Sequence, residues 1–306
     1  MTSGRGLTLF ATVIWAAVAV TAAPRAFTHR HAAPAGATAA SAASVDYEAR
    51  NCSDLNIQFD GHEAVQQSEE RSISKTEASP LRVQAHANGG LYVEGWDKDS
   101  YGVTLCKAAE AGADADQLLS QIHLRFTDGA VSVTGPRSDK HWAAHLIIRA
   151  PKGSNLDMEI QNGPVSVTRV EGKVKVNAAN GPVTVSGCTG ELELKSNNGP
   201  VTLEENSGRE RVESENGPVS LSLAGQAWTG AGIEARSTNG PVTLHVPAGY
   251  QSGVILESDG NGPFECGGSA CAEGRRTWDD EHKRVEFGSG PTVVRVSTVN
   301  GPVSVE

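Results

Sequence analysis

Asn162-Gly163-Pro164-Val165 is the stretch that decides the fold, because the same phrase returns along the C-terminal half of the chain. The first four copies are spaced 18 residues apart. The turn residues of all copies are Asn162, Gly163, Pro164, Asn180, Gly181, Asn198, Gly199, Asn216, Gly217, Asn239, Gly240, Asn261, Gly262, Asn300 and Gly301. Self-similarity at a fixed period indicates one short structural unit that is stacked repeatedly.

One unit, residues 162–179, contains two turns and two short strands. Asn tolerates the left-handed region, Gly reaches positive φ at little cost and Pro fixes its own φ, so Asn-Gly-Pro predicts a turn. Residues 165–168 (Val-Ser-Val-Thr) alternate between apolar and polar side chains, which is the period of a half-buried strand. Glu171-Gly172 predicts the second turn, and residues 173–176 alternate as a second strand.

Aligning the units gives columns of similar side chains. The first apolar column contains Val165, Val183, Val201, Val219, Val242, Phe264 and Val303. The second contains Val167, Val185, Leu203, Leu221, Leu244, Cys266 and Val305. Between them lies a column that is mostly Ser or Thr, running from Ser166 to Ser304. We expect the apolar columns to fill an interior and the hydroxyl column to face water.

Two architectures are compatible with this pattern. In a β-solenoid each unit is one coil, and equivalent strands pair in parallel between coils. In an antiparallel meander each Asn-Gly turn closes a hairpin. Identical columns favour the solenoid, because like residues stack only when equivalent strands are neighbours. The sequence thus predicts an all-β, β-helix-like solenoid of two-strand coils of about 18 residues, with the Asn amides bonding from coil to coil.

The N-terminus predicts export. Residues 1–23 have the pattern of a secretory signal peptide, with Arg5, an apolar run and small residues at its end. Residues 24–44 are rich in Ala, Ser, Thr, Pro and Gly and predict a disordered linker. No second hydrophobic stretch suggests a membrane span in the mature chain, so periplasm, cell surface or secretion is expected.

The rest of the chain divides into two regions. Residues 45–150 have sequence patterns typical of strands, but the repeat is degenerate, so we predict that this region caps the stack. A short helix is expected within residues 113–120. Residues 151–306 contain the regular repeats, with an insertion at residues 266–290.

The net charge limits the class of partner, and the cysteines bear on the cellular compartment. The 36 acidic and 26 basic residues give a net charge of −10 with no basic patch apparent in the sequence, which argues against nucleic acid. Export permits disulfides. Cys266 and Cys271 could close a small bridge, Cys52 with Cys106 could pin the cap, and Cys188 occupies an apolar column as a buried thiol.

The repeated Asn-Gly turns, each followed by Val-x-Val, and the Glu-Gly or Thr-Gly opposite turns resemble the bacterial putative-adhesin family, a domain of unknown function. The likeness includes residues 147–153 (Ile-Ile-Arg-Ala-Pro-Lys-Gly) and covers roughly residues 81–306. It implies a β-solenoid, export and a loose role in cell-surface adhesion. The family motif is structural, so the resemblance implies no catalytic residues.

Residues that could carry chemistry are sparse. Outward acids are scattered along both strands, and His141 and His145 have metal-like spacing only on a helix, so no catalytic, cofactor-binding or metal site is predicted. The insertion holds the densest candidates for a weak ligand site, against the alternative of an ordinary charged hairpin. These candidates are Trp278, Asp279, Asp280, Glu281 and His282.

The sequence therefore predicts a non-enzymatic, exported solenoid that binds a macromolecule, a protein or a glycan of the cell envelope or surface. The alternative is a carbohydrate-binding or carbohydrate-active β-helix that uses residues 275–282, with Trp228 as a further candidate.

Overall fold

The computed structural model describes residues 49–137, 141–260, 262–267, 269–279 and 282–306. The predicted signal peptide and linker lie outside the described residues, and so do Asn261, Asp280 and Glu281. The described residues form one compact unit.

The region before the repeats consists mainly of strands. Its elements are a 3-10 helix (Cys52–Asp54), β1 (Gln58–Phe59), β2 (His62–Glu63), β3 (Val65–Ser74), β4 (Leu81–Asn88), β5 (Leu91–Trp96), β6 (Ser100–Ala109), α1 (Ala115–Leu119), β7 (His123–Thr127), β8 (Ala130–Thr134) and β9 (Trp142–Pro151). Helix α1 lies inside the predicted helical stretch and buries Ala115 and Leu119.

The repeats alternate a long strand with a short one. The strands are β10 (Ser154–Asn162), β11 (Val165–Thr168), β12 (Glu171–Asn180), β13 (Val183–Ser186), β14 (Thr189–Asn198), β15 (Val201–Glu204), β16 (Ser207–Asn216), β17 (Val219–Ser222), β18 (Gly232–Asn239) and β19 (Val242–His245). Each long strand ends at the Asn of a turn, and each short strand begins after the Pro.

The C-terminal end is less regular. It contains β20 (Gly253–Ser258), β21 (Phe264–Cys266), α2 (Ser269–Ala272), β22 (Arg275–Trp278), β23 (Lys283–Phe287), β24 (Thr292–Asn300) and β25 (Val303–Val305).

Two large sheets organise the described residues. The long-strand sheet has the order β22-β23-β20-β24-β18-β16-β14-β12-β10-β4-β8-β7. The short-strand sheet has the order β21-β25-β19-β17-β15-β13-β11-β5-β9-β6-β3. The chain passes from one sheet to the other at each Asn-Gly-Pro turn, and the apolar faces of the two sheets form a shared core.

The register between coils confirms the predicted solenoid. Equivalent strands pair in parallel, so that Val183 lies between Val165 and Val201 and Asn180 lies between Asn162 and Asn198. The antiparallel meander is therefore wrong for the repeats. Among the described residues, antiparallel pairs in the two large sheets occur only toward the ends of the sheets, between β3, β6 and β9, between β7 and β8, and between β20, β22 and β23.

Residues before the repeats continue both sheets. Strand β4 pairs in parallel with β10, and β5 pairs in parallel with β11. Strands β6 and β3 then follow β9 in antiparallel order. This end covers the apolar columns of the first regular coil, which a solenoid requires because an open end would expose its core.

The hydroxyl column corrects one expectation. Thr184, Thr202 and Ser220 are half-buried on the outer side of their strands. Ser166, however, is buried, with 4% of its surface exposed. The reason is that Ser166 pairs with Tyr92 in β5, and the segment that begins at Ala49 packs over Tyr92.

The coil order at the C-terminal end differs from the order of the repeats in sequence. Strand β24 inserts between β18 and β20, and β25 inserts between β19 and β21. As a result Val303 pairs with both Val242 and Phe264. The final repeat of the chain is thus an inner coil, whereas the preceding repeat lies further toward the end of the stack.

Candidate binding surfaces

The repeated turns form a structural corner. Side-chain amides of successive turns bond along the stack: Asn180 Nδ2 to Asn162 Oδ1 (3.1 Å), Asn198 to Asn180 (3.1 Å), Asn216 to Asn198 (3.3 Å), Asn239 to Asn216 (3.1 Å) and Asn300 to Asn239 (3.0 Å). These amides bond to one another, so the Asn-Gly-Pro motif has a structural role and holds neighbouring coils together.

The insertion after Cys266 forms a hairpin at the end of the long-strand sheet. Strand β22 pairs antiparallel with β23 and supplies the outermost strand of that sheet. Cys266 and Cys271 are joined by a disulfide at the base of this insertion, and helix α2 lies between β21 and β22 in the chain.

Trp278 is the prominent side chain of this hairpin. It is 50% exposed, and its ring lies 6.2 Å, centroid to centroid, from the ring of Phe264 in β21. The guanidinium of Arg276 lies 5.6 Å from the Trp278 ring centroid, within the range of a cation–π contact. We call Phe264, Arg276 and Trp278 the end surface.

The two polar candidates that the structure describes, Asp279 and His282, make hydrogen bonds within the protein. Asp279 Oδ1 accepts the backbone N–H of His282 at 2.7 Å. The Nδ1 atom of His282 lies 2.9 Å from Asp259 Oδ1. The structure therefore brings Asp279 and His282 together next to Trp278, and both are hydrogen-bonded within the protein; Asp280 and Glu281 are outside the described residues.

A cleft of about 650 Å³ lies at the other end of the stack, on the outer side of the short-strand sheet. One wall is the segment from Arg50 to Ser53, held by a disulfide between Cys52 and Cys106 of β6. The opposite wall is Trp96, and Gly102, Thr104 and Ile147 lie on the floor. We call this site the cap cleft.

Trp96 is fixed in the cap cleft. Its Nε1 donates to the carbonyl oxygen of Ser100 at 2.8 Å. A Cβ on Gly102 would come within 2.9 Å of the indole ring, so the absence of a side chain there lets the ring lie against β6. Lys98 Nζ and the Arg149 guanidinium lie 4.7 and 5.8 Å from the ring centroid.

Glu210 is the one carboxylate among the fully covered side chains of the described residues. It occupies a column formed in neighbouring strands by Val174, Leu192 and Ile233, and only 3% of its surface is exposed. Its Oε2 has no hydrogen-bond partner. Burial away from water penalises the ionised form and raises the pKa of Glu210 to about 8.

Cys188 lies near Glu210 and is inert in character. The thiol is buried and free, and Asn206 Oδ1 accepts the backbone N–H of Cys188 at 2.8 Å. Burial raises the pKa of Cys188 to about 12, so the thiol stays protonated at neutral pH.

The remaining candidates do not converge on a catalytic or metal site. His145 Nδ1 accepts the backbone N–H of Gly90 at 2.9 Å, and burial lowers the pKa of His145 to about 4. His141 pairs instead with Glu110 at 2.5 Å. Within the described ranges, no group of three or more His, Cys, Asp or Glu side chains could hold a metal ion. Likewise, no helix in those ranges has the length and apolarity to cross a bilayer.

Sequence reasoning missed Glu210 and the cap cleft for different reasons. Glu210 lies 18 residues after Leu192, so aligning the repeats would have shown an acid in an apolar column. The cations of the cap cleft carried no such signal. Lys98 and Arg149 are distant in sequence, and both lie near the Trp96 ring because β5 pairs with β9.

These features define a class of protein: a β-solenoid of two-strand coils, closed at one end by an antiparallel cap and at the other by a hairpin. The family described as Toastrack DUF4097 matches residues 115–306. The chain therefore belongs to the Toastrack DUF4097 family. Among curated proteins, no match was found.

Several solved structures of bacterial proteins share some likeness with this chain. A "putative cell adhesion protein" from Clostridium sporogenes shares 9% identity, with a TM-score of 0.32 over 79% of this chain and 99% of that one. A "putative adhesin" from Bacteroides fragilis shares 14% identity, with a TM-score of 0.32 over 79% and 97%. A "putative lipid binding protein" from Parabacteroides distasonis shares 10% identity, with a TM-score of 0.29 over 78% and 96%.

Proposed function

We propose that this protein is an exported, non-enzymatic β-solenoid that binds a macromolecule of the cell envelope or cell surface through the end surface. The observation that carries the proposal is Trp278, half-exposed beside Phe264 and Arg276. Aromatic side chains with Arg are typical of the energetic centres of binding interfaces. Val65 is the other large apolar side chain that is exposed among the described residues, and it lies on β3 at the opposite end.

Export is supported by the two disulfides. Cys52–Cys106 holds the N-terminal segment of the cap, and Cys266–Cys271 lies at the insertion. Disulfides form and persist in oxidising compartments such as the periplasm and the exterior. Protease digestion of intact cells, with lysed cells as the control, separates the two locations: digestion on intact cells indicates the surface, and protection until lysis indicates the periplasm.

A non-enzymatic role is supported by how the described acids are used. On the outer face of the long-strand sheet they pair with bases of neighbouring coils, as Lys173 does with Glu191 (3.2 Å) and Lys195 with Glu213 (3.1 Å). Glycoside hydrolysis requires two carboxyl groups that face each other across a bond. Such paired surface charges instead favour a solvated face of the scaffold.

Sedimentation with isolated cell envelopes tests the end surface. We expect the purified protein to co-sediment with the envelope fraction, and Trp278→Ala to reduce the bound fraction at least tenfold. Thr277→Ala, on the same exposed strand, is the matched control and should bind as the parent protein does. Equal binding by parent and Trp278→Ala would exclude the end surface, and absence of binding by the parent would contradict the proposal itself.

The same assay identifies the class of partner. Protease treatment of the envelopes before mixing abolishes binding if the partner is a protein and preserves it if the partner is a glycan. A glycan is the second candidate because a half-exposed indole offers a flat apolar face, with Arg276 beside it, to a sugar ring. A reducing-sugar assay on the retained polymer then separates binding from cleavage: release of sugar ends would contradict the non-enzymatic assignment.

A further inference from the structure

We propose that the cap cleft is a second binding site, separate from the end surface, and that it takes a carboxylated polysaccharide such as a polyuronate. It is a concavity at the opposite end of the solenoid, with the Trp96 indole on one wall and two cations, Lys98 and Arg149, beside that ring. Its volume of about 650 Å³ lies in the range of small-ligand sites, and fits a few sugar residues of a longer chain.

The walls of the cleft are held in place. The segment from Arg50 to Ser53 is tied to β6 by the Cys52–Cys106 disulfide. On either side of that bridge, Ala49, Leu55 and Ile57 pack on Ile147 and other apolar side chains of the sheet's outer face. The cleft therefore exists before a ligand arrives, so that binding does not have to order this wall.

The charge of the cleft is opposite to that of the whole protein. Four basic side chains and one acid line it, in a chain of net charge −10. Its basic residues are Arg50, Arg71, Lys98 and Arg149, and its acid is Glu70. A positive concavity on a negative molecule selects an anionic ligand by charge complementarity.

Lys98 and Arg149, which both lie against the Trp96 ring, are the two cations that we expect a ligand to contact. Arg50 lies 3.7 Å from Glu94, and Arg71 places its guanidinium over the Phe126 ring. Among the described residues, neither Lys98 nor Arg149 forms an ion pair with a carboxylate. Glu94 is opposite Arg149 in the register but is paired with Arg50 and Arg169, and Asp97 beside Lys98 is paired with Lys152.

The rest of the lining favours a sugar over other anions. Ser53, Ser68, Ser72, Ser100 and Thr104 contribute to the lining of the cleft, and hydroxyl groups can both donate to and accept from the hydroxyls of a sugar. The indole of Trp96 adds an apolar side chain next to both cations. A concave site with one indole does not match a flat bilayer, and it lacks the row of stacking aromatics that single-stranded nucleic acid uses.

Titration with defined oligomers tests the proposal. The probes are an oligogalacturonate of about eight residues and the same oligomer with its carboxyl groups methyl-esterified, which keeps the sugar and removes the charge. We expect saturable binding of the acid form by calorimetry, at least tenfold weaker binding of the ester, and weaker binding as salt screens the cations.

Variants place the binding in the cleft. Lys98→Gln and Arg149→Gln should each weaken binding of the oligogalacturonate by about tenfold, which is the effect of losing one charge-assisted hydrogen bond. Arg236→Gln removes an exposed charge from the long-strand sheet, outside the cleft, and should leave the affinity unchanged. Trp278→Ala should also leave it unchanged, so failure of the end surface does not affect this result.

Several outcomes would overturn the proposal. These are no saturable binding of the oligogalacturonate, equal binding of acid and ester, or equal affinity in the parent protein, Lys98→Gln and Arg149→Gln. Tighter binding of inorganic polyphosphate or of phosphatidylglycerol vesicles through Lys98 and Arg149 would also overturn it, because the ligand would then be a phosphate group. Lys98 is an exposed loop side chain, so its variant tests the site without risk to folding.

Discussion

Asn300 donates its side-chain amide to Asn239 Oδ1 at 3.0 Å, although the two residues are 61 positions apart in the chain. The bond exists because the last repeat returns over an intervening coil and hairpin to lie directly on the coil of Asn239. The same amide-to-amide contact joins coils that are 18 residues apart. Stacked Asn-Gly-Pro turns therefore make the same amide contact whether or not the two coils are consecutive in the chain.

The amide ladder gives the first prediction. Asn198 donates to Asn180 at 3.1 Å and to the carbonyl oxygen of Ala179 at 3.4 Å, and it accepts from Asn216 at 3.3 Å, so Asn198→Ala removes three bonds. Because the corner is exposed, we expect a loss of about 1–2 kcal/mol in the free energy of unfolding. Denaturant unfolding monitored by circular dichroism measures it. Asn197→Ala, one residue before the turn, is the control; an equal loss there would show that the ladder adds nothing.

The glycine of the turn gives the second prediction. Gly199 has φ of +132°, and a Cβ at this position would overlap the carbonyl oxygen of Gly181 in the coil beside it. Gly199→Ala is therefore strained in its backbone and clashes with the neighbouring coil, at a cost of about 2 kcal/mol or more. Gly112 has open space and no positive φ, so Gly112→Ala should leave the melting temperature nearly unchanged. Similar melting of both variants would contradict this explanation.

The coil and its stacking were predictable from the sequence for a definite physical reason. A period of 18 residues with apolar residues at two fixed positions is compatible with few folds, and Val165, Val183 and Val201 lie in register as that period requires. The reversed order of the last coils was not predictable. The turns at Asn239 and Asn300 have the same Asn-Gly-Pro-Val sequence, so the sequence does not show which coil lies next to which. Only the pairing of β24 with both β18 and β20 decides it.

The candidate sites were predictable only in part. Trp278 was identified from the sequence because an aromatic among charges in an insertion departs from the repeat. The cap cleft was not, since Trp96 and Arg149 belong to strands whose pairing no repeat specifies. The 18-residue period alone was therefore enough to predict the core positions. Predictions about ligands needed the structure.

The core column gives the third prediction. Val201 is 1% exposed and lies between Val183 and Val219. Val201→Asp would place an unpaired charge in this dry column, at a cost of several kcal/mol, so the variant should unfold or lose cooperative melting. Thr202→Asp places the same acid one residue later, on the outer side of the strand, and should melt near the parent protein. Reversed effects in thermal melts would mean that the inner and outer faces are exchanged.

Glu210 makes the stability of the fold depend on pH, because it is a carboxyl group buried in the core. The pKa of Glu210 is raised by burial from an ordinary value of 4.5 to about 8 in the folded protein. A group whose folded pKa is raised favours the folded state fully at pH below 4.5, and this contribution is lost as pH rises toward 8. The total change is on the order of 5 kcal/mol, because each pH unit between the two pKa values corresponds to about 1.4 kcal/mol.

Replacement of Glu210 therefore separates charge from packing. Glu210→Leu restores the apolar column between Leu192 and Ile233, so we expect it to raise the free energy of unfolding by a few kcal/mol at about pH 8 and by much less at about pH 5. Glu210→Gln should flatten the pH dependence with a smaller gain, since its amide stays buried without a partner. Glu193→Gln, on the outer face of the same sheet, is the control. Denaturant unfolding between those two pH values measures all three, and an equal pH dependence in the parent protein and Glu210→Leu would show that Glu210 is ionised in the fold without penalty.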